Sequence, residues 1–247
     1  MRAFGIIGHP LAHSFSKDFF NERFRNEKID AVYENYDIDN IKKVVEILAS
    51  NPNLEGLNVT SPYKEKIMEY LDEASPEVRK IGSCNVLKIT QGKGTMNIKG
   101  YNSDYIAFRQ SIEPLLNKYH TGALILGTGG AAKTVELVLT ELGLKTALVS
   151  RYQRPGTVAY ENLKPEDLES YNVIVNATPC GMYPSVLDYP KIPYEGVNRH
   201  TLMYDLIYNP EETVFLYKGR QQGAVTKNGI EMHLLQAFES WRIWNEK

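Results

Sequence analysis

The sequence predicts an α/β protein with two domains. Through the first hundred residues, short apolar segments alternate with segments of helical periodicity, a pattern typical of a sheet covered by helices. The alternation starts again at the apolar run Gly122–Gly127. A chain of 247 residues is long enough for two modest domains. We therefore predict one domain made of residues 1–103 plus 229–247 and a second made of residues 104–228, with a cleft between them.

In the first domain, strands and helices are expected to follow one another in turn. Phe19, Phe20 and Phe24 recur at helical spacing after the first apolar run. The expected strands are Arg2–Gly8, Ala31–Asp37 and Leu54–Thr60, and the expected helices are Ser16–Asn26, Ile41–Ser50 and a segment from Pro62 to about Leu71. The glycines of Gln91-Gly92-Lys93-Gly94 indicate a hairpin between strands Asn85–Thr90 and Thr95–Gly100.

The second domain is expected to continue this order. Its predicted elements are a helix at Asp104–Tyr119, a strand from Gly122, a helix at Ala131–Leu142, strands at Thr146–Ser150, at Thr157–Tyr160 and from Val173, and a last helix at Gly229–Trp244. The last helix has an apolar face, which we expect to pack on the first domain; its residues are Met232, Leu235, Phe238 and Trp241. Only Tyr152–Gly156 separates two of the strands, which is too short for an ordinary parallel crossover. We therefore predict that no helix occurs there and that the sheet is reduced or irregular on this side.

The composition excludes several classes of function. There are 28 lysines and arginines against 30 aspartates and glutamates, whereas binding to nucleic acid favours a clear basic excess. No apolar run approaches the roughly 20 residues that span a bilayer, and the apolar start of the chain is too short for a signal peptide. Cys84 and Cys180 have no metal-type spacing, and the histidines are scattered. We expect a cytoplasmic protein with reduced thiols and no metal, monomeric or homodimeric.

The turn after the strand at Gly122 has the composition of a dinucleotide-binding loop. The run Gly127-Thr128-Gly129-Gly130-Ala131-Ala132 matches G-x-G-x-x-G/A, follows an apolar segment and opens a predicted helix. Small residues let the backbone turn tightly and approach a pyrophosphate, which then meets the N–H groups at the positive end of the helix. A plain strand–turn–helix connection is the alternative. The sequence therefore predicts a Rossmann-like second domain.

The end of the next strand indicates which dinucleotide binds. An NAD site usually has an acidic residue there for the ribose 2′-hydroxyl. This chain has Ser150-Arg151-Tyr152-Gln153-Arg154 instead, and two arginines suit a 2′-phosphate by charge and by bidentate geometry. Surface arginines without a ligand are the alternative. We predict NADP.

Lys64 is the first candidate for acid–base chemistry. Pro62 suits the first position of a helix, which places Lys64 in the first turn. A cation there opposes the helix dipole at a cost of about 0.3–1 kcal/mol, and such a breach of local preference favours a functional role. The positive helix end and partial burial favour the neutral amine that proton transfer needs. The alternative is a solvated surface lysine.

Other polar side chains follow the predicted strand and helix ends. Asp104 would hold the Lys64 ammonium if the two side chains face each other, or it only caps its helix. Ser14 and Ser16 could hold a carboxylate at a helix start, although Ser16 could also be only an N-cap. Asn85 could bind a hydroxyl or serve as a turn residue.

Three segments of the second half point to the same edge of the sheet. The strand from Val173 ends in the loop Asn176–Met182, and Asp205–Pro210 repeats this arrangement. Cofactors lie at the carboxyl edge of such a sheet. Gln236, on the last helix, has an amide that could reach into the cleft. Taken singly, each of these segments is more often structural than functional.

Together these segments resemble the shikimate dehydrogenase family, in order and over nearly the whole chain. The matching motifs are S-x-S at Ser14 and Ser16, N-V-T-x-P-x-K at Asn58–Lys64, G-x-x-N ending at Asn85, Y-N-x-D ending at Asp104, G-x-G-G-A at Gly127–Ala131, N-A-T-P-x-G-M at Asn176–Met182, D-x-x-Y-x-P at Asp205–Pro210, and Gln236 with Ala237. Single motifs are unspecific, but the whole set in register is very hard to produce by chance.

The resemblance implies reversible hydride transfer between C4 of the nicotinamide and C3 of shikimate, a step of aromatic amino acid biosynthesis through chorismate. It implies that Lys64 is the catalytic lysine and that Asp104 is its partner. The implied substrate-binding residues are Ser14, Ser16, Thr60, Lys64, Asn85, Asp104, Tyr208 and Gln236. The implied cofactor-binding residues are Gly127, Thr128, Gly129, Gly130, Ala131, Ser150, Arg151, Arg154, Thr178, Leu206 and Gly229.

The chain departs from the family pattern at two places. The family usually has proline after the second serine, where this chain has Lys17, and N-R-T where this chain has Ser150-Arg151-Tyr152 and a shortened segment. Two alternatives stay open: a quinate/shikimate dehydrogenase that uses NAD or NADP, and a non-catalytic nucleotide-sensing module. The intact Asn58–Lys64 segment favours the shikimate-specific enzyme, and a sensor has no need of both Lys64 and Asp104.

Overall fold

A computed structural model describes residues 1–11, 15–92 and 95–246, so Ser14 lies outside the described residues. The chain divides into two compact units, one of Met1–Ser103 with Ala237–Lys247 and one of Asp104–Gln236. Each unit contains a six-stranded sheet, and the predicted α/β class is confirmed. The domain assignment of residues 229–247 stays a prediction. Within the described ranges, none of the helices combines the length and the apolar character that a membrane-crossing segment requires.

The first unit has a mixed sheet. Its strands are β1 (Arg2–Gly8), β2 (Ala31–Asp37), β3 (Leu54–Val59), β4 (Glu73–Ala74), β5 (Val86–Gln91) and β6 (Met96–Tyr101). Its helices are α1 (Phe15–Asn26), α2 (Val44–Ser50) and α3 (Pro76–Ile81), with 3-10 helices at Ile41–Lys43 and Lys66–Tyr70. The strand order is β2-β1-β3-β5-β6-β4, in which β1 is parallel to β2 and β3, and β5 is antiparallel to β3 and β6. The carboxyl ends of β1 and β3 therefore meet at one edge.

Aromatic side chains fill one core of this unit. Phe20 and Tyr33 are fully buried and stack at a centroid distance of 4.8 Å. Trp244 packs in the same cluster, and its indole N–H donates to the Leu87 carbonyl oxygen at 3.0 Å. A Cβ at Gly56 would lie 2.2 Å from the indole nitrogen, so this strand position needs glycine. The end of the chain is thus part of the first unit's core.

The second unit has a sheet in which all strands are parallel. Its strands are β7 (Gly122–Leu126), β8 (Lys145–Ser150), β9 (Thr157–Ala159), β10 (Val173–Asn176), β11 (Leu202–Asp205) and β12 (Val225–Lys227). Its helices are α5 (Gly130–Glu141), α6 (Asp167–Ser170) and α7 (Val214–Gln221), and it shares α4 (Ser103–Ile112) and α8 (Ile230–Asn245) with the first unit. Short 3-10 helices lie at Glu113–Leu115, Tyr160–Asn162 and Tyr194–Gly196. The order β12-β11-β10-β7-β8-β9 confirms the predicted Rossmann-like arrangement.

The connection between β8 and β9 contains no helix, as the sequence predicts. A turn connects the two strands instead, and in it the Thr157 N–H donates to the Arg154 carbonyl oxygen at 3.0 Å. The sheet keeps six strands, and its irregularity on this side is limited to the three-residue length of β9.

The α-helix predicted from Pro62 to about Leu71 is wrong. This segment is a turn followed by the 3-10 helix Lys66–Tyr70. In an α-helix the Lys64 carbonyl would accept from the Met68 N–H four residues on. Here the Cys84 N–H donates to the Lys64 oxygen at 2.8 Å, and Met68 donates to Glu65 instead. A tertiary hydrogen bond therefore replaces the helical one.

Other predicted helices differ from the structure. The helix predicted at Ile41–Ser50 is a 3-10 helix over Ile41–Lys43 followed by α2. Helix α4 ends at Ile112 rather than at Tyr119, because Pro114 has no N–H to continue it. In α8, Met232 is buried in a core cluster of the second unit, with Leu235 packed against it. The prediction that the apolar face packs on the first domain is therefore wrong for this half of the helix. Ala237, Ile243 and Trp244 do belong to a first-unit core, with Trp241 packed against it.

Candidate active site

The segment after β3 is held by main-chain hydrogen bonds on both sides of its candidate residues. The Thr60 N–H donates to the Ile7 carbonyl oxygen at 2.9 Å, and the Lys64 carbonyl oxygen accepts from Cys84. Tyr63 is buried, and its hydroxyl donates to a main-chain oxygen at 2.6 Å. Lys64 is half-buried. Lys64 lies in a turn, so the prediction that a helix dipole acts on its amine is wrong. The main-chain hydrogen bonds of this turn nevertheless give the Lys64 side chain a rigid backbone.

Asn85 contacts the residue that starts α4. Its side-chain oxygen accepts from the Ser103 N–H at 2.7 Å, and its Nδ2 donates to the Ser103 Oγ at 3.0 Å. Asn85 and Ser103 are both buried. Asp104 follows in the first turn of α4, as predicted, and is 8% exposed. A carboxylate in this position is stabilised by the positive end of the helix.

Ser16 lies inside the first turn of α1, which begins at Phe15, so it is not the N-cap of that helix. Its side chain is buried and lies beside the hydroxyl of Tyr33. Burial raises the pKa of Tyr33 well above its usual value, which keeps the phenol neutral. The neighbouring Lys17, which stands where the family usually has proline, forms an ion pair with Glu34 at 2.6 Å. The carboxylate of Glu34 offsets the positive charge of Lys17.

The glycine turn of the second unit has the form that a pyrophosphate requires. Gly127 has φ of 119°, and a Cβ there would lie 3.1 Å from the Ala177 carbonyl oxygen. At Gly129 a Cβ would meet no atom within 4 Å, so the turn is open on that side. Helix α5 begins at Gly130, and its first helical hydrogen bond runs from the Lys133 N–H to Gly129. The N–H groups before that bond, including that of Ala131, suit an anion.

The residues predicted to bind the 2′-phosphate follow β8. Ser150 is buried at the end of the strand, and its Oγ accepts from the Tyr152 N–H at 3.4 Å. Arg151 and Arg154 are exposed, so both guanidinium groups are accessible to a ligand. The turn that carries them connects directly to β9, because the crossover helix is missing.

The ends of β10 and β11 are joined by a buried carboxylate. The Asp205 oxygens accept from the Asn176 Nδ2 (3.0 Å), the Ile207 N–H (3.0 Å) and the Thr213 hydroxyl (2.7 Å). The Asn176 Oδ1 in turn accepts from the N–H and the hydroxyl of Thr178. Burial raises the pKa of Asp205 to about 6, and its three hydrogen bonds oppose that shift. The loops that carry Thr178 and Ile207 are therefore held by one side chain.

The remaining candidates lie around the start of α8. Tyr208 is stacked on His233 with ring centroids 4.2 Å apart. A Cβ at Gly229 would lie 2.2 Å from the Leu206 carbonyl oxygen, so only glycine fits against that backbone. Gln236 and Leu206 are half-buried. The second unit thus brings the predicted Gly229 and Leu206 into direct contact.

Two buried residues that bond to the Asn58–Lys64 segment, Tyr33 and Ser240, were not predicted from the sequence. Tyr33 and Ser240 hydrogen-bond to Asn58 across 25 and 182 residues of chain. No local pattern signals contacts at such separations. Within residues 1–11, 15–92 and 95–246, no group of three or more histidine, cysteine or acidic side chains is arranged to hold a metal ion.

Comparison with known proteins shows the family. A model of the shikimate dehydrogenase substrate-binding domain matches residues 6–87. Proteins named shikimate dehydrogenase (NADP(+)) from Methanococcus maripaludis and Methanococcus vannielii are 36% and 34% identical to this chain, and each match covers 97% of this chain and 90% of the relative.

A solved structure is similar over the same length. The shikimate 5-dehydrogenase of Thermus thermophilus, in complex with NADP(H) and shikimate, is 27% identical, with a TM-score of 0.85 over 99% of this chain and 94% of that chain. The chain belongs to the shikimate dehydrogenase family.

Proposed function

We propose that the chain catalyses the reversible, NADP-dependent reduction of 3-dehydroshikimate to shikimate. The observation that carries the proposal is the match, over nearly the full length of both chains, to proteins named shikimate dehydrogenase (NADP(+)). The similar structure from Thermus thermophilus contains both NADP(H) and shikimate. A cytoplasmic location, a role in aromatic amino acid biosynthesis and a monomeric or homodimeric state belong to the same proposal.

The second unit fits the cofactor. The open space at Gly129 and the N–H groups that begin α5 suit a pyrophosphate, and the exposed Arg151 and Arg154 suit a 2′-phosphate. When bound, NADPH supplies hydride from C4 of its nicotinamide. The residues that we propose to hold it are Gly127, Thr128, Gly129, Gly130, Ala131, Ser150, Arg151, Arg154, Thr178, Leu206 and Gly229.

Lys64 and Asp104 are proposed to handle the proton. Reduction of a ketone places a hydride on carbon and a proton on oxygen, and a positioned amine can deliver that proton. Asp104 is proposed as the partner of Lys64 in this step. The other residues proposed to bind the substrate are Ser14, Ser16, Thr60, Asn85, Tyr208 and Gln236.

The test is a turnover assay followed by nicotinamide absorbance. Purified protein should reduce NADP with shikimate and oxidise NADPH with 3-dehydroshikimate. The same assay with quinate, and with NAD in place of NADP, separates the shikimate-specific enzyme from a quinate/shikimate dehydrogenase. A protein that binds NADP but turns over neither substrate would instead be a nucleotide sensor.

A lysine pair tests the proposed chemistry. Lys64→Ala should lower kcat by about 10²-fold or more, since a positioned proton-transfer group is lost, while the Kd for NADP stays the same. Lys66→Ala is the matched control, because Lys66 is exposed two residues away in the 3-10 helix. Equal turnover in the two variants would remove Lys64 from the mechanism.

A further inference from the structure

A continuous chain of buried polar side chains runs through the first unit beneath two of the proposed substrate-binding residues. From one end to the other its members are Ser16, Tyr33, Asn58, Ser240, Ser103 and Asn85. None of them is more than 6% exposed. They come from α1, β2, β3, α8, the start of α4 and the residue before β5. This row of polar side chains therefore connects most elements around the carboxyl edge of the sheet.

Asn58 is the centre of this chain. Its Oδ1 accepts from the Tyr33 hydroxyl at 2.8 Å, and its Nδ2 donates to the Ser240 Oγ at 2.9 Å. The Ser240 hydroxyl then donates to the Ser103 Oγ at 3.3 Å. Ser103 is the residue that Asn85 holds by two hydrogen bonds. The orientation of the Asn58 amide is thus set by both of its neighbours.

Tyr33 is itself held rigidly. Its ring stacks on Phe20, and both its N–H and its carbonyl oxygen bond to the side-chain amide of Asn21 at 3.0 and 2.8 Å. Its hydroxyl has little freedom to move and meets Ser16 on one side and Asn58 on the other. The phenol therefore links the start of α1 to the end of β3.

We propose that Tyr33 and Ser240 are positioning residues for the substrate site: Tyr33 fixes the side chain of Ser16 directly, and the hydrogen bonds from Tyr33 through Asn58, Ser240 and Ser103 fix that of Asn85. This inference rests on the proposed function, in which Ser16 and Asn85 bind shikimate. Removing the Tyr33 hydroxyl takes from the buried Asn58 Oδ1 the donor at 2.8 Å, and removing the Ser240 hydroxyl leaves the Asn58 Nδ2 only its longer bond to the Asn85 carbonyl oxygen at 3.4 Å. A buried polar group that loses a hydrogen bond is costly away from water. The remaining members then shift to recover hydrogen bonds, which moves the groups at the two ends.

The experiment compares Tyr33→Phe, Ser240→Ala and the double variant with the wild type. Tyr33→Phe and Ser240→Ala should each raise the KM for shikimate by about tenfold, the fold-change that loss of one buried hydrogen bond produces. The KM for NADP should stay within about twofold, because the cofactor residues belong to the other unit. The double variant should raise the KM for shikimate by less than the product of the single effects, since both changes break one network.

Tyr204→Phe is the matched control. Tyr204 is a fully buried tyrosine whose hydroxyl bonds to Ser111 at 2.7 Å, but both residues lie in the second unit. Tyr204→Phe and Tyr33→Phe should both lower the melting temperature, but Tyr204→Phe should not raise the KM for shikimate. An unchanged KM in Tyr33→Phe and Ser240→Ala, or the same KM change in Tyr204→Phe, would overturn the positioning role. A wild type without shikimate turnover would overturn the proposed function, and this inference with it.

Discussion

The buried Asp205 should make the stability of the protein depend on pH in an unusual direction. Its pKa is raised by burial from 3.8 to about 6, so the folded state holds this proton more tightly than the unfolded state. Its contribution to stability is therefore fully present below pH about 3.8 and is lost as the pH rises through about 6. A difference of about two pKa units corresponds to about 3 kcal/mol.

Asp205→Asn isolates this contribution. The amide has nearly the same shape, its oxygen can accept from the Ile207 N–H, and the hydroxyl of Thr213 can accept from its new NH₂ group. Since asparagine does not titrate, the free energy of unfolding of the wild type minus that of Asp205→Asn should fall by about 2 kcal/mol between about pH 4 and about pH 7, which is most of the full difference. Other titrating groups cancel in this difference.

The measurement is urea denaturation at several pH values, followed by far-ultraviolet circular dichroism. Tryptophan fluorescence would report on the wrong half, because both tryptophans, Trp241 and Trp244, lie in the first unit and Asp205 lies in the second. Asp188→Asn serves as the control, since Asp188 is exposed. A difference between wild type and Asp205→Asn that does not change with pH would refute the assignment of the raised pKa to Asp205.

Two further comparisons test the cofactor site. Gly127→Ala should destabilise the fold by about 1–3 kcal/mol, because its φ of 119° and the nearby backbone oxygen both resist a Cβ. Gly129→Ala should leave the melting temperature nearly unchanged but weaken NADP binding, since its Cβ would occupy only the space proposed for the pyrophosphate. Thermal shift measures the melting temperatures, and titration calorimetry measures the Kd for NADP. A larger loss of stability in Gly129→Ala than in Gly127→Ala would contradict this prediction. Arg151→Ala should raise the KM for NADP and not that for NAD, with the exposed Arg199→Ala as control. Equal loss for both cofactors would disprove the 2′-phosphate contact.

Elements governed by neighbouring residues were predictable from the sequence. The strands β1 and β2 have the predicted bounds, because apolar alternation and flanking polar residues act over a few positions. The turn from Gly127 to α5 was predictable for the same reason, since positive φ and close backbone approach demand glycine locally. The missing crossover helix followed from chain length alone, because Tyr152–Gly156 is too short to form it.

Features that depend on distant partners were decided only by the tertiary structure. The turn at Lys64 replaces the predicted helix because Cys84, twenty positions away, takes the carbonyl that the helix would use. The network through Asn58 joins Tyr33 and Ser240, which are remote in sequence and carry no shared motif. Local preferences are worth about 1 kcal/mol or less per residue, whereas a buried polar group without a partner costs more. Where the two conflict, the long-range contacts of the fold determine the outcome.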